Sequence, residues 1–88
     1  MQPEALSLGV SRPSSAEVDF AFTLPNGAHV DLAVFDVAGR RLATLEHADL
    51  PQGTYLRSWN ASGVANGVYF VRLSENGARL TRTLVKAQ

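Results

Sequence analysis

A chain of 88 residues, 45% of them apolar and 18% charged, leaves room for one small domain that buries about 60–65% of the surface its unfolded form exposes. Eight acidic and eight basic side chains cancel, and the basic ones, seven arginines and Lys86, are scattered along the sequence. That balance argues against a nucleic-acid footprint or a polybasic membrane patch, and the absence of cysteine excludes both a disulfide framework and a thiolate metal site.

No apolar run approaches the ~20 residues that a membrane-spanning helix needs. The start, Met1-Gln2-Pro3-Glu4, carries an acid where a signal peptide carries bases. Any export signal is therefore expected outside this stretch, with Met1 as an added start codon and residues 1–88 as a single module excised from something longer. A weak apolar run at 6–11, ahead of Pro13, is the first expected strand, and 11–15 is loop-like. Val18, Phe20, Phe22 and Leu24 then recur at every second residue, the period of a half-buried strand and not of a helix.

Pro25-Asn26-Gly27 stops that run. The next places Val30, Leu32 and Val34 on one face and Asp31, Ala33 and Phe35 on the other, closed by Asp36-Val37-Ala38-Gly39-Arg40, with the glycine a hairpin turn requires where φ is positive. A short partner strand is expected at 42–45, and Leu50-Pro51-Gln52-Gly53 leads to another at 54–59. Residues 68–73 form the next, and Glu75-Asn76-Gly77 sets up a hairpin into 80–86. About seven strands at 8–12 residue spacing predict an all-β, Ig-like antiparallel sandwich.

The strand at 54–59 departs from clean alternation: Tyr55 and Trp59 share a face with Arg57, and the opposite face offers only Leu56 and Ser58. Two arrangements fit. Arg57 lies at the core margin with its stem buried, or Tyr55 and Trp59 face outward together as a flat sugar-binding platform.

Chemical constellations are thin. His29 and His47 lie in different segments, each beside one carboxylate, Asp31 and Asp49, so a zinc or catalytic site requires their convergence. The carboxylates are spread singly, without the ligand spacing of a calcium loop, and no serine sits in a nucleophile elbow. Lys86 is a poor candidate for an isopeptide cross-link, which needs a buried lysine with an acid beside it. The chain is expected to be non-catalytic, with no metal and no cofactor.

Phe22-Thr23-Leu24-Pro25, Val34-Phe35-Asp36-Val37-Ala38-Gly39-Arg40, Leu50-Pro51-Gln52-Gly53-Thr54, Trp59-Asn60 and Asn66-Gly67-Val68-Tyr69-Phe70-Val71-Arg72-Leu73 stand in order along nearly the whole chain. Together they resemble the C-terminal Ig-like sorting domains of type IX secretion cargo, and equally the related Ig-like domain of the flagellar hook-capping protein. The resemblance implies a module at the end of a secreted bacterial protein, addressed to an outer-membrane translocon and then removed or used for surface attachment. It implies as partners the secretion machinery and a parent cargo domain on the N-terminal side, and a monomer that is secreted or held at the cell surface. The family's final apolar-basic strand corresponds to Thr83, Leu84, Val85 and Lys86, onto which the address role is carried. In this chain Arg57 stands where the family has an apolar residue, and 11–15 only partly matches the usual entry loop. The alternatives are a carbohydrate-binding appendage of a secreted hydrolase using Tyr55 and Trp59, and a structural scaffold of flagellar hook assembly.

Two surfaces follow from the alternation. Neither face of the last run is clean, since Leu80, Arg82, Leu84 and Lys86 mix apolar with basic while Arg79, Thr81, Thr83 and Val85 are mostly polar. Such a strand belongs at a sheet edge, serving strand addition by a receptor or ordinary edge protection. If Val30, Leu32 and Val34 point inward, and Tyr69, Val71 and Leu73 do so on the later strand, then Phe35, Val68 and Phe70 point out, and Phe35 and Phe70 form an apolar partner patch, unless a loop at 45–50 covers them.

Overall fold

The computed structural model describes residues 6–12 and 16–87. Seven strands follow one another: β1 Ser7–Ser11, β2 Glu17–Leu24, β3 Ala28–Phe35, β4 Arg41–Leu50, β5 Gly53–Asn60, β6 Gly67–Glu75 and β7 Ala78–Lys86. They form two antiparallel sheets, one of order β1-β2-β5 and the other β4-β3-β6-β7. This is the expected all-β sandwich, with the fourth strand beside β3. Pro13, Ser14 and Ser15 of the expected entry loop, together with Met1 and Gln88, lie outside the described residues.

The two-residue period sets the core. Val18, Phe20, Phe22 and Leu24 of β2 face Val30, Leu32 and Val34 of β3 and Val71 and Leu73 of β6, all buried. Each large apolar side chain so placed contributes about 1.5–3 kcal/mol of transfer free energy. Leu8 of β1 pairs with Phe22 and closes one margin.

Hairpin chemistry fixes the register. Glu75 pairs with Ala78 around Asn76 and Gly77, whose φ values of 48° and 88° make the twisted two-residue turn that continues a right-handed ladder. Between β3 and β4 the Asp36 carboxylate accepts the N–H groups of Ala38 and Arg40 at 2.9 and 3.0 Å, and Gly39 takes φ 85°, where a Cβ is disfavoured.

β4, with 10 residues, is more than twice the length expected at 42–45. Its pairing with β3 slips between Leu32 and Ala33 and again between Val34 and Phe35, so Leu45 and Leu42 are each an extra, bulged residue. The first slip switches the inward phase: Ala43 and Leu45 before it, and Glu46, Ala48 and Leu50 after it, are the partly buried positions. That break in alternation hid the second half of the strand.

Candidate docking edge and sheet face

β7 is the last strand of the four-stranded sheet, and the residues assigned to the address role divide between its two faces. Leu84 pairs with Tyr69 and is buried. Lys86 is only 7% exposed, and its Nζ donates to the Val64 carbonyl at 2.6 Å, under the loop that joins β5 to β6. The same loop receives the Tyr69 hydroxyl on the Ala65 carbonyl at 2.5 Å. Thr83 and Val85 point the other way and are exposed. From outside the folded domain Thr83 and Val85 are therefore accessible, while Leu84 and Lys86 hold the strand down.

The Val85 carbonyl accepts a bond from the Arg12 guanidinium, so it points away from β6. Backbone groups of alternate residues in a strand project to the same side. Thr81 and Thr83 consequently direct N–H and C=O groups to the edge, where β1 packs against β7 but no strand pairs with β7 on that side among the described residues.

Phe35 and Phe70 are directly paired on the outer face of this sheet, and Phe70 pairs in turn with Thr83. Both rings are half-buried. The segment expected to cover them is instead the second half of β4, bonded to the far end of β3, so it lies beside the rings and not over them. Phe35 is flanked by two guanidinium groups, Arg72 at 4.4 Å and Arg41 at 5.2 Å from the ring centroid, a geometry favoured by the negative π face. With Val37, Gly39 and Thr81 the two rings line an open cleft of about 340 Å³. Val68 and the fully outward Val85, paired across β6 and β7, extend the apolar surface to the sheet edge, both counting among the exposed large hydrophobics.

The register of β3 with β4 sets His29 opposite Asp49 and Asp31 opposite His47, a convergence the sequence spacing did not reveal. His29 Nδ1 lies 2.8 Å from an Asp49 carboxylate oxygen, and the imidazoles meet edge to face at 4.8 Å. Asp31, however, is gripped by both terminal nitrogens of Arg41 at 3.1 Å. That hydrogen bonding holds its carboxyl below the usual aspartate range despite the opposing effect of burial. Among the described residues no group of three histidine or carboxylate ligands is placed to hold a metal. Asp36 is likewise lowered, first by the Arg40 backbone N–H and, against the opposing effect of burial, by the Arg40 side chain as well.

The face of β5 is settled by its neighbours. Phe22 pairs with Tyr55, Phe20 with Arg57 and Val18 with Trp59, so all three β5 side chains face the opposing sheet. Trp59 is buried and meets Tyr69 edge to face at 6.0 Å. Tyr55 stacks on Phe22 at 5.3 Å and donates its hydroxyl to the Pro51 carbonyl at 2.6 Å. The outward platform considered for Tyr55 and Trp59 is not formed, because a small sandwich places its largest rings inside. Arg57 lies at the margin, its Nε donating to Glu46 of β4 at 2.6 Å and its guanidinium 5.6 Å from the Tyr55 ring. The bulge in β4 is what turns Glu46 inward to meet it, bridging the two sheets along one open side.

The model of the family described as secretion system C-terminal sorting domain matches residues 12–87. No curated protein and no solved structure matches the chain.

Proposed function

Because the chain belongs to the family of secretion system C-terminal sorting domains, whose members mark proteins for the cell surface or the medium through type IX secretion, we propose that β7 is the handle by which an outer-membrane translocon grips it. The role is an address and not a reaction. In this reading the domain acts as a monomer beside a cargo domain on its N-terminal side, and surface attachment follows export. The observation that carries the proposal is the open edge at Thr81 and Thr83 on a strand lying wholly within the family match. Strand addition there supplies main-chain hydrogen bonds, and Thr83 and Val85 are the side chains available for selectivity. Leu84 and Lys86 contribute by anchoring the strand, so that the edge is presented straight and in register.

The test fuses the module to a reporter that carries an export signal and follows the reporter in a type IX host. Removal of 83–88 by itself is ambiguous, since it also strips buried Leu84 from the core. Thr83→Pro is the sharper variant, because its N–H faces the open edge and its loss leaves the β6 ladder intact. The intact module is expected to deliver the reporter to the surface or medium, and the proline variant to leave it in the periplasm. Delivery that is indifferent to both changes, or a reporter stranded with the intact module, would defeat the proposal.

A further inference from the structure

Net neutrality conceals a segregation of charge. Arg40, Arg41 and Arg57 are spent on Asp36, Asp31 and Glu46. The remaining cations, Arg12, Arg72, Arg79, Arg82 and Lys86, make no ion pair among the described residues, and each lies on β7, on its neighbour β6, or against the β7 edge. The strand itself carries no acid. Glu75, at the turn that leads into it, forms no ion pair with these arginines. Three of them, Arg12, Arg79 and Arg82, flank the β7 edge, while Arg72 stands on the outer face of β6 and Lys86 is buried under the loop that joins β5 to β6.

Their placement follows the pleat. Arg79 and Thr81 share the outer face with Thr83, while Arg82, paired with buried Val71, projects from the other side. A strand added alongside β7 at the usual spacing of about 4.8 Å would face a guanidinium on each of its sides. On the outer face it would also meet small Thr81, which forms one wall of the Phe35–Phe70 cleft. A long apolar side chain opposite Thr81 passes over it into that cleft, and Arg72, stacked on Phe35, stands at the rim within electrostatic reach of Asp31 but in no close ion pair.

From this we infer that the occupant of the β7 edge is an acidic extended segment of a partner protein, with carboxylates on both faces and one long apolar side chain seated between Phe35 and Phe70. The inference rests on the strand-addition reading above and specifies the chemistry of the partner. Charge complementarity of this kind selects partners and accelerates encounter more than it deepens affinity. A positive edge also disfavours pairing with a second copy of β7, because like charges would then meet.

The experiment uses the full chain, isotopically labelled, with three probes: a synthetic ten-residue peptide alternating Glu with Val around one central Leu, its Lys-for-Glu counterpart, and phosphatidylglycerol vesicles. The acidic peptide is expected to shift the amides of Thr81, Thr83 and Phe70, and the basic peptide to shift none. Affinity should fall about tenfold on going from low to high salt. The R79E/R82E double variant, its fold checked by the emission of buried Trp59, should reverse the preference. Should that variant misfold, R79Q/R82Q serves, with loss of binding in place of reversal. Phe70→Thr should weaken binding without changing the charge preference. Equal binding of both peptides, binding of neither, or binding to vesicles alone overturns the inference. In the secretion assay, normal export of R79E/R82E beside failed export of Thr83→Pro would overturn the acidic partner while sparing the sorting role. Failed export with the intact module would strike the sorting role itself.

Discussion

Arg57 shows how one side chain can contradict a strand pattern and still be obeyed by it. It shares the inward face with Tyr55 and Trp59, and it is tolerated because the sandwich is open between β4 and β5, where Glu46 meets it. Arg57→Met removes one partner and leaves a half-buried carboxylate, which we expect to cost about 1–2 kcal/mol in urea unfolding. Adding Glu46→Leu should return most of the loss, since an apolar pair of similar size replaces the ions. Asp31 makes a different, pH-dependent contribution. Its folded pKa is depressed by Arg41, so the contribution is complete above the unfolded value of about 3.9 and lost as the pH falls through the folded one. Asp31→Asn should therefore be less stable than the parent at neutral pH, by less than about 1 kcal/mol for so exposed a pair. The difference should close in acid, as read by thermal melts across that range. The pairing of Asp31 with Arg41 was not legible, because the two are ten residues apart and only the folded β3–β4 hairpin brings the Arg41 side chain along the sheet face to Asp31.

Among the elements, β2 and β6 were the most legible, since each keeps strict alternation over a buried face. β4 was the least, because two bulges change its phase and present leucine and glutamate to the interior in succession. β7 lies between these extremes. Its mixed faces correctly indicated an edge, yet Lys86 belongs to the interior: a long aliphatic stem can be buried while its ammonium finds the Val64 carbonyl. The pleat makes a sharp prediction along this strand. Leu84→Pro deletes an N–H directed at β6 together with a buried side chain, a loss of about 3 kcal/mol or more. Thr83→Pro, one residue earlier, deletes only an edge N–H and should melt within a few degrees of the parent. Circular dichroism melts of the two variants separate these outcomes.

At the scale of the molecule, stability rests on a thin core. A domain of this length holds only about 4–13 kcal/mol, so Phe20→Ala, which opens a cavity at a fully buried ring, should remove about 3–5 kcal/mol and leave a substantial unfolded population at 37 °C, visible as red-shifted Trp59 emission. The all-β class, the strand number and the inward residues of β2, β3 and β6 were determined by the sequence alone, because a two-residue period admits one way of hiding Val18, Phe20, Val30, Leu32, Val71 and Leu73 from water. The turn at Asn76-Gly77 was equally explicit, since few residues accept its dihedrals. Strand order, by contrast, was decided only in three dimensions. It set Phe35 beside Phe70, turned Glu46 toward Arg57, and brought Arg12 to the strand that carries Arg79 and Arg82. Periodicity states which face a side chain takes and is silent about its neighbours across the ladder, and the proposed docking edge is built from those neighbours.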